Sequence, residues 1–271
     1  QGHTFFLALH GGEGENGVVQ RHFERRGLAF TGSGSRASAD AFDKATTRQL
    51  ASVSGATVAE ARALPPMNLS KTREALASLL MAHPRWVLKP QADGSSHGLI
   101  QLVSPEQLDA AAQSLASLQL HYLAEVFVEG RELTVGVVDE QAGPRALPVS
   151  EVRLMPGGTF DYAGKYLGRG TQEMTPAQLT DAQWSAAQEL GVLTHQALGC
   201  FGYSRTDMIA TSEGMVLLEI NTLPGLTKAS FIPQQLAAAG RSLEDFLHLQ
   251  LHLARWRLET AIAEGRHVAA R

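Results

Sequence analysis

Two side chains that can bind a metal ion through oxygen, Glu219 and Asn221, lie two residues apart in an apolar segment that leads to a Pro-Gly turn. Side chains at positions i and i+2 of a strand project from the same face, so the carboxylate and the carboxamide are expected side by side. Mg²⁺ prefers hard oxygen ligands of this type next to phosphate oxygens. Asp207, on the preceding apolar segment, offers a third oxygen ligand. Taken alone, the same residues also fit an ordinary β-hairpin with one solvated glutamate.

A second candidate site begins at Lys89, which ends an apolar segment and precedes a loop rich in glycine and serine at residues 94–98. Small residues with accessible backbone N–H groups can fold over phosphate oxygens, and the lysine ammonium adds a point charge. The pattern is not a P-loop, because no Gly-Lys-Ser/Thr leads into a helix. By itself the loop is a weak indication, since many hairpin loops have this composition.

Both stretches, in this order, resemble the ATP-grasp superfamily, and the match tightens to the D-alanine–D-alanine ligase family. The resemblance covers nearly the whole chain, and its motifs are highly specific as a set. They are His10-Gly11-Gly12, Glu15-Asn16-Gly17, Phe30-Thr31-Gly32-Ser33-Gly34, Asp43-Lys44, Lys89-Pro90, Gly94-Ser95-Ser96, Glu125, Glu132, Lys165-Tyr166, Arg205, Asp207, Glu219-Ile220-Asn221-Thr222, Pro224-Gly225-Leu226-Thr227, Ser230 and Pro233.

The fold that this resemblance implies is α+β, an ATP-grasp fold of two α+β lobes with the remnant of an N-terminal Rossmann-like domain. The expected division assigns residues 1–32 to the remnant and residues 33–125 to a central lobe with the Gly/Ser phosphate loop. Residues 126–271 form a C-terminal lobe with the metal and acceptor sites.

The activity that the resemblance implies is the ATP-dependent, ADP-forming ligation of two D-alanine molecules into D-alanyl-D-alanine for peptidoglycan synthesis. In this family ATP phosphorylates the carboxylate of the first substrate, and the amine of the second attacks the acyl phosphate. The protein supplies positioning and charge stabilisation. Two alternatives stay open: a related ligase with a different amino acid specificity or a ring-closing activity in natural-product biosynthesis, and a catalytically silent nucleotide-binding protein. The presence of Lys89, Arg205, Asp207, Glu219 and Asn221 argues against the silent protein.

ATP and Mg²⁺ are the cofactors that the resemblance implies, with two metal ions and Mn²⁺ as a substitute. The metal ligands would be Asp207, Glu219 and Asn221, around ions that bridge the β- and γ-phosphates. The residues expected at the phosphates, the adenine, the ribose or the loops around them are Lys44, Lys89, Ser96, Glu125, Phe127, Val128, Glu132 and Lys165. Without the family context, periodicity makes Lys44 a solvated helix lysine and makes Glu125 and Glu132 exposed strand carboxylates.

Arg205 resembles the cation that stabilises the transferring phosphoryl group and later the tetrahedral oxyanion. The backbone N–H of Gly225 is the second oxyanion donor by the same resemblance. The alternative for Arg205 is a structural ion pair with Asp207, which lies two residues away on the same strand face. Ser230 and Phe231 are expected to contact the second D-alanine, with Ser230 on its carboxylate.

Residues of two loops and one histidine are expected to surround the bound substrates. Lys165 and Tyr166 lie in a polar, glycine-containing segment that resembles the mobile loop of the family, which excludes water from the acyl phosphate. In the family, Tyr166 and Ser95 form a hydrogen-bonded clasp with a carboxylate from the N-terminal segment, and a tyrosine there favours an amine acceptor over D-lactate. His10 resembles the histidine near the first substrate, and a histidine satisfied by a turn is its alternative.

The chain departs from the family at two places. Relatives are expected to begin with roughly 60 further residues, about half of a typical small domain, with an acidic residue that holds the first substrate's ammonium. Either that segment is missing from this sequence, or the contact is absent and specificity at the first subsite is in doubt. His97 stands where relatives commonly have a small apolar residue, and a solvent-facing loop position is favoured over a phosphate contact.

Composition narrows the possible partners and the cellular location of this protein. The 271 residues carry a formal net charge of −4 with 18% charged residues, and they form no basic stripe, so nucleic acid is not an expected partner. No apolar run approaches the roughly 18 residues that span a bilayer, and the N-terminus lacks signal-peptide features. A cytoplasmic homodimer with D-alanine as donor and acceptor is the expectation.

Cys200 is interpreted as a structural thiol. His248 and His252 have zinc-compatible spacing, but no third ligand is apparent and a metal site there is rejected.

Hydrophobic periodicity and capping signals place the elements that must position these residues. Strands are predicted at Phe5–Leu9, Tyr122–Val128, Glu132–Val138, Phe201–Ala210 and Met215–Asn221, and two more flank the Gly/Ser loop. Helices are predicted at Gly17–Arg26, Ser35–Ala51, Ser70–Met81 (with Ser70 as N-cap), Pro105–Leu118, Pro176–Leu198 and after Ser242, which opens a capping box with Asp245.

Overall fold

The structure, a computed structural model, describes residues 3–93, 98–154 and 171–265. The chain divides into two compact units. The larger contains Gln1–Thr57, Gly130–Arg153 and Gln172–Arg271, and the smaller contains Val58–Glu129 and Leu154–Thr171. Residues 33–57, which the sequence assigns to the central lobe, lie in the larger unit. The three-part division of the sequence otherwise stays a prediction.

The N-terminal part of the larger unit has two short parallel strands, β1 (Thr4–Phe5) and β2 (Ala29–Phe30). Four helices accompany them: α1 (Gly12–Glu15), α2 (Val18–Arg26), α3 (Ser35–Phe42) and α4 (Lys44–Val53). The prediction of one helix over Ser35–Ala51 was wrong. Asp43 adopts an extended backbone conformation and its side chain accepts a hydrogen bond from the Thr46 N–H, so it caps α4 instead of continuing α3.

The smaller unit contains a four-stranded antiparallel sheet in the order β3-β6-β4-β5. Its strands are β3 (Ala61–Leu64), β4 (Trp86–Pro90), β5 (Ile100–Leu102) and β6 (Tyr122–Val126), and its helices are α5 (Leu69–Ala82) and α6 (Leu108–Leu118). Trp86 is fully buried at the centre, where its indole N–H donates to the carbonyl of Leu79 at 2.8 Å. The N-cap of α5 is Asn68, not Ser70 as predicted, because the Asn68 side chain accepts from the Lys71 N–H.

The main sheet of the larger unit has the order β10-β9-β7-β11-β12, with β8 also paired to β7. Its strands are β7 (Arg131–Glu140), β8 (Gly143–Ala146), β9 (Ser150–Leu154), β10 (Thr171–Met174), β11 (Tyr203–Ala210) and β12 (Met215–Asn221). The boundaries predicted for β12 are confirmed. Along β7 the apolar residues Leu133, Val135 and Val137 alternate with polar or small ones and are fully buried.

Helix α7 (Asp181–Ala197) covers the apolar face of this sheet. Gly191 permits the close approach, because a Cβ at this position would lie 3.1 Å from the Val135 side chain. The helix begins five residues later than predicted. Thr180 forms a capping box with Gln183, which places the helix start at Asp181.

Two helices end the larger unit, α8 (Phe231–Ala238) and α9 (Leu243–Ala263). Ser242 accepts a hydrogen bond from the Asp245 N–H, as its N-cap assignment predicts. Gln235 of α8 is fully buried and bonds the backbone N–H of Gly136 and the carbonyl of Thr134, which fixes α8 on β7. Along the described ranges, no helix combines the length and apolar character that a membrane crossing needs.

Cys200 precedes β11. Burial raises the pKa of its thiol to about 12, so the group is protonated at neutral pH. This agrees with the structural interpretation made from the sequence, because the thiolate is the reactive form.

Glu151 on β9 is a buried carboxylate between two arginines. Arg131 donates to both of its oxygens, at 2.8 and 2.7 Å, and Arg153 approaches one of them at 2.9 Å. The hydrogen bond from Arg131 is the main reason that the pKa of Glu151 lies below its ordinary value. A carboxylate with a lowered pKa in the folded state stabilises the fold above its unfolded-state pKa, and this contribution is lost as pH falls through the folded-state pKa.

Glu151→Gln should lower the free energy of unfolding at pH 7 by about 1.5–3 kcal/mol, the range for hydrogen bonds to a charged group. The difference from wild type should shrink as pH falls below the unfolded-state pKa of about 4.3, because wild type then loses the same charge. Urea denaturation between pH 7 and pH 3 measures it. Glu213→Gln, in an exposed turn, is the control and should show neither effect. A pH-independent difference for Glu151→Gln would contradict the assignment.

Candidate active site

Four polar residues form a rectangular array on one face of the main sheet. In the antiparallel register of β11 and β12, Arg205 lies opposite Asn221 and Asp207 lies opposite Glu219. Directly paired residues of an antiparallel ladder project from the same face, and so do residues two apart on one strand. The face that the sequence predicted for Glu219 and Asn221 therefore also holds Arg205 and Asp207.

A β-bulge adjusts this array. The register shifts between Asp207 and Met208, because Asp207 pairs with Glu219 whereas Met208 pairs with Leu217. Leu218 is therefore the extra residue on β12. Bulges of this kind increase local twist and re-aim neighbouring side chains, and they are common next to active sites.

Asp207 is the most enclosed member, with 4% of its surface exposed. Its Oδ1 accepts from Arg205 Nε at 2.9 Å and from the Thr134 hydroxyl at 2.5 Å, and its Oδ2 accepts from Arg205 Nη2 at 2.9 Å. Two parallel N–H···O bonds of this kind give a charge-assisted pair with a fixed geometry. The Arg–Asp pair that the sequence offered as a structural alternative thus exists in the structure, and it fixes the direction of the guanidinium.

Asn221 is oriented by the turn that follows it. Its Oδ1 accepts from the backbone N–H of Leu223 at 2.7 Å, which is an Asx turn. The carboxamide direction therefore depends on the path of the backbone at Leu223. An amide oxygen has a second lone pair, so this bond leaves acceptor capacity for a cation.

The donor set fits a hard divalent cation. Asp207 and Glu219 contribute carboxylates and Asn221 a carboxamide, which is the oxygen chemistry that Mg²⁺ takes from proteins beside substrate phosphates. Within the described ranges no group of three or more His, Cys, Asp or Glu side chains has metal-site geometry. The predicted set has only two carboxylates, Asp207 and Glu219, and its third member is the carboxamide of Asn221.

Gly225 lies against the start of α8. A Cβ at Gly225 would come within 2.6 Å of the Ser230 hydroxyl oxygen and 3.8 Å of His10 Cε1, so only glycine fits without a shift. Ser230 occupies the N-cap of α8, but its hydroxyl bonds the Thr227 hydroxyl at 2.9 Å instead of capping the helix. The structure thereby brings together three residues that the sequence predicted for the substrates.

The surroundings of this cluster carry charge and an aromatic ring. The guanidinium of Arg205 lies 5.9 Å from the ring centroid of Phe231, within cation–π range. His10 is two-thirds exposed, and its Nδ1 lies 3.7 Å from Glu15 Oε1. An exposed imidazole beside a carboxylate remains accessible to a ligand, unlike a histidine that is fully satisfied by its own turn.

In the smaller unit, the cation and carboxylate predicted for the nucleotide form an ion pair. Lys89 Nζ lies 2.6 Å from Glu125 Oε2, with the side chains 12% and 4% exposed. The pair spans adjacent strands, because β4 and β6 are neighbours in the sheet. The reading of Glu125 as an exposed strand carboxylate is therefore wrong, since tertiary packing buries it.

Arg85 contacts the segment that follows β6, residues 127–129, through its backbone and its side chain. The N–H of Phe127 donates to the Arg85 carbonyl at 3.0 Å, and the Arg85 guanidinium lies 3.9 Å from the Phe127 ring centroid. The same guanidinium forms an ion pair with Glu129. Val128 lies between Phe127 and Glu129, so Arg85 contacts the segment on both sides of it.

Glu132 and Lys44 belong to the larger unit. Glu132 on β7 is 7% exposed and lies opposite Ile209 of β11, so it shares the face of Asp207. It too is buried, which contradicts its reading as an exposed strand carboxylate. Lys44 is the first residue of α4. The predicted residues Ser95, Ser96, His97, Lys165 and Tyr166 lie outside the described residues, and their roles stay predictions.

Two residues of this region were missed from the sequence. Thr134 bonds Asp207, and Thr227 bonds Ser230. Thr134 could have been found, because it lies two residues from Glu132 on the same strand face. Thr227 ends the motif Pro224-Gly225-Leu226-Thr227, but local sequence gives no sign of a hydroxyl pair with Ser230.

Comparisons with known proteins agree with this arrangement. A family model described as D-ala D-ala ligase C-terminus matches residues 58–251. A D-alanine--D-alanine ligase from Leptospira interrogans is 37% identical over 89% of this chain and 70% of its own length. A D-alanine--D-alanine ligase from Albidiferax ferrireducens is 38% identical over 88% of this chain and 67% of its own length.

Solved structures give the same result for the fold. The VanG D-Ala:D-Ser ligase from Enterococcus faecalis is 30% identical, with a TM-score of 0.80, over 92% of this chain and 72% of that one. The D-alanine-D-alanine ligase from Coxiella burnetii, at 22% identity, has a TM-score of 0.82 over 96% of this chain and 70% of that one. These likenesses confirm the prediction of an α+β, ATP-grasp fold.

The Lys89–Glu125 pair gives a prediction about stability. Lys89→Met should lower the free energy of unfolding by about 3–5 kcal/mol, the usual result of removing one member of a buried ion pair. Lys89→Met with Glu125→Gln should be more stable than Lys89→Met alone, because no buried charge remains. Urea denaturation of both single variants and the double variant gives the coupling free energy.

The control for this prediction lies in the same unit. Arg73 and Asp109 form an exposed ion pair at 2.6 Å. Arg73→Met should change stability by no more than about 1 kcal/mol, as for other exposed pairs. Additive losses at Lys89 and Glu125 would show that the two charges are not energetically coupled.

Proposed function

Because this chain belongs to the D-alanine–D-alanine ligase family, we propose that it joins two D-alanine molecules into D-alanyl-D-alanine and converts ATP to ADP and phosphate. The dipeptide would serve as a peptidoglycan precursor. The observation that carries the proposal is the array of Arg205, Asp207, Glu219 and Asn221 on one face of the sheet. Such an array can hold a phosphoryl group and its metal ion in a fixed orientation.

The first step is the activation of a carboxylate. The carboxylate oxygen of the first D-alanine attacks the γ-phosphorus of ATP, the bond from phosphorus to the β,γ-bridging oxygen breaks, and ADP leaves. Arg205 is fixed by its two hydrogen bonds to Asp207, so its positive charge has a fixed direction and would stabilise the charge that develops on the transferring phosphoryl group. Mg²⁺, held by Asp207, Glu219 and Asn221, would neutralise phosphate oxygens.

The second step forms the peptide bond. The amine of the second D-alanine attacks the acyl-phosphate carbon, the bond from that carbon to the phosphate oxygen breaks, and phosphate leaves with the bonding electrons and takes up the proton that the amine loses. The Gly225 N–H and Arg205 would stabilise the oxyanion of the tetrahedral intermediate. Ser230 would hold the acceptor carboxylate, with Phe231 beside it, and His10 would lie near the first D-alanine. The closeness of Gly225 to both Ser230 and His10 supports these roles.

Nucleotide contacts complete the proposal. Lys44 and Lys89 are assigned to phosphates, the backbone of residues 125–128 to adenine, and Glu132 to the ribose hydroxyls. The family resemblance supports these roles, as does the placement of Glu132 on the face of Asp207. Ser95, Ser96, Lys165 and Tyr166 are assigned to the two closing loops by resemblance alone. We further propose that the protein acts in the cytoplasm as a homodimer.

A second candidate concerns the acceptor. The D-Ala:D-Ser ligase that is 30% identical to this chain favours testing D-serine as the second substrate. D-serine differs from D-alanine by one hydroxyl, and a hydrophobic pocket rejects an added hydroxyl only weakly, whereas a pocket built to hydrogen-bond it discriminates strongly. The choice therefore depends on whether a polar group faces the acceptor side chain.

Purified protein, ATP and Mg²⁺ with D-alanine alone should give D-alanyl-D-alanine, with one ADP and one phosphate per dipeptide. Mass spectrometry identifies the product, and a coupled assay counts the ADP. Parallel reactions pair D-alanine with D-serine or with D-lactate, and a further set uses L-amino acids. A mixed D-alanyl-D-serine product in large excess would support the second candidate. ATP turnover with other amino acids and none with D-alanine would reject both.

Glu219→Gln tests the metal assignment. Loss of one carboxylate from the metal site should reduce kcat by about 10²–10³-fold, the size of a lost electrostatic contact to the transition state. The melting temperature should change little, since the substitution keeps the shape of the side chain. Glu213→Gln, in the exposed turn before β12, should leave both unchanged. Near-normal turnover of Glu219→Gln at saturating Mg²⁺ would remove Glu219 from the metal site.

A further inference from the structure

Arg257, on the last helix, forms a clamp on the segment Phe30–Gly34. Its Nη1 donates to the Gly32 carbonyl at 2.7 Å and its Nη2 donates to the Phe30 carbonyl at 2.6 Å. Its guanidinium lies between two rings, 4.2 Å from the centroid of Phe30 and 4.8 Å from that of Phe201. Both the hydrogen bonds and the stacking depend on a planar, forked cation, which lysine cannot reproduce.

Arg257 is a buried cation. Burial lowers the pKa of Arg257 to about 10, but the side chain keeps its charge at neutral pH. A buried charge is costly unless its donors are satisfied, and two carbonyls and two aromatic faces satisfy this one. Trp256, the residue before Arg257 on α9, stacks with Phe201 and leaves half of its own surface exposed.

On one side, the clamped segment supports the loop that orients the predicted metal ligand. Phe30 packs with Leu223 in one small apolar cluster. Gly32 has φ +82°, and a Cβ there would lie 3.5 Å from the Leu223 side chain and 3.8 Å from the Thr222 carbonyl. The N–H of Leu223 is the donor that holds Asn221. Leu223, whose N–H orients the Asn221 carboxamide, therefore lies beside Phe30 and Gly32.

On the other side, the clamped segment bonds β1 and the residues that lead from it to His10. Thr31 accepts a hydrogen bond from the Leu7 N–H at 3.0 Å, and its own N–H donates to the Phe5 carbonyl. Leu7 belongs to the same apolar cluster as Phe30 and Leu223. The segment that Arg257 holds thus bonds the backbone before His10 and packs against Leu223, two residues after Asn221.

We propose that Arg257 is a positioning residue for the ligation reaction: by fixing Phe30–Gly34 it sets the positions of Leu223 and Leu7, and through them those of Asn221 and His10. The inference rests on the proposed function for its catalytic consequence. It adds to that function a residue on the last helix that no motif of the family resemblance contains.

Amide hydrogen exchange tests the clamp without turnover. In Arg257→Met, which keeps an apolar chain between the two rings, the amides of Leu7 and Leu223 should exchange about tenfold faster, the change expected when a local opening loses the support of a charged hydrogen bond. Amides of β4, in the smaller unit, should be unchanged. Arg255→Met is the matched control, because Arg255 lies on the same helix and its Nε bonds only the Thr4 hydroxyl at 2.9 Å among the described contacts.

Kinetics separate positioning from general stability. Arg257→Met should lower kcat/KM for D-alanine and raise the Mg²⁺ concentration for half-maximal rate, each by about tenfold or more, because small misplacements of reacting groups are costly. The KM for ATP should stay close to the wild-type value. Arg257→Lys should recover part of both effects, and Arg255→Met should show neither. If Arg257→Met does not fold, Arg257→Lys against Arg255→Met makes the same comparison.

Unchanged exchange at Leu7 and Leu223 in both Arg257 variants would overturn the proposal, as would a uniform increase over all amides with unaltered Mg²⁺ dependence. A wild-type protein that makes no D-alanyl-D-alanine would instead remove the proposed function. The exchange comparison would still decide whether Arg257 controls the two backbone segments.

Discussion

The register between β11 and β12 is the constraint on which the rest of the candidate site depends. With Arg205 opposite Asn221 and Asp207 opposite Glu219, four polar side chains share one face. A shift of one residue would turn one strand's pair to the other face, where α7 packs. That face holds Met208 and Ile220, both buried, so a shifted register would bury charges and expose these side chains. Burial of the hydrophobic face thereby fixes the register, and the register determines which side chains lie on the polar face.

The reverse face of β11 contributes polar support as well. Ser204 is fully buried and its hydroxyl lies 2.7 Å from Nδ1 of His195 on α7, while His195 Nε2 lies 3.3 Å from Asp139 on β7. Asp139 in turn accepts from the backbone N–H of Gly202 at 2.7 Å. These contacts connect α7, β7 and the turn before β11 on the face of the sheet opposite Arg205. Buried polar contacts of this kind restrict the core to one arrangement.

Buried carboxylates recur in this protein, and arginine or lysine compensates three of those described above. Asp207 has Arg205, Glu151 has Arg131 and Arg153, and Glu125 has Lys89. A buried pair adds little net stability compared with apolar residues of the same volume, whereas a broken pair is strongly destabilising. Such pairs therefore restrict geometry more than they increase stability. At Asp207 the consequence is a guanidinium with a fixed direction, which is what an electrostatic catalyst requires.

The sequence by itself determined the strand that carries Glu219 and Asn221. The apolar run before Glu219 and the turn residues at both ends define its boundaries, and the spacing of two residues between Glu219 and Asn221 defines its polar face. The sequence also determined the family, since the motifs are specific as an ordered set. Tertiary structure decided what local pattern could not. Asp43 breaks a helix that periodicity predicts as continuous, because its side chain caps the next one. The short strand Ala61–Leu64 has little β-propensity and exists because β6 pairs with it. Glu125 and Glu132 look like surface carboxylates until the sheets bury them. The meeting of His10, Gly225 and Ser230, and the clamp between Arg257 and Phe30, join residues up to 227 positions apart. No periodicity reports such contacts, because they arise only when the core closes around them.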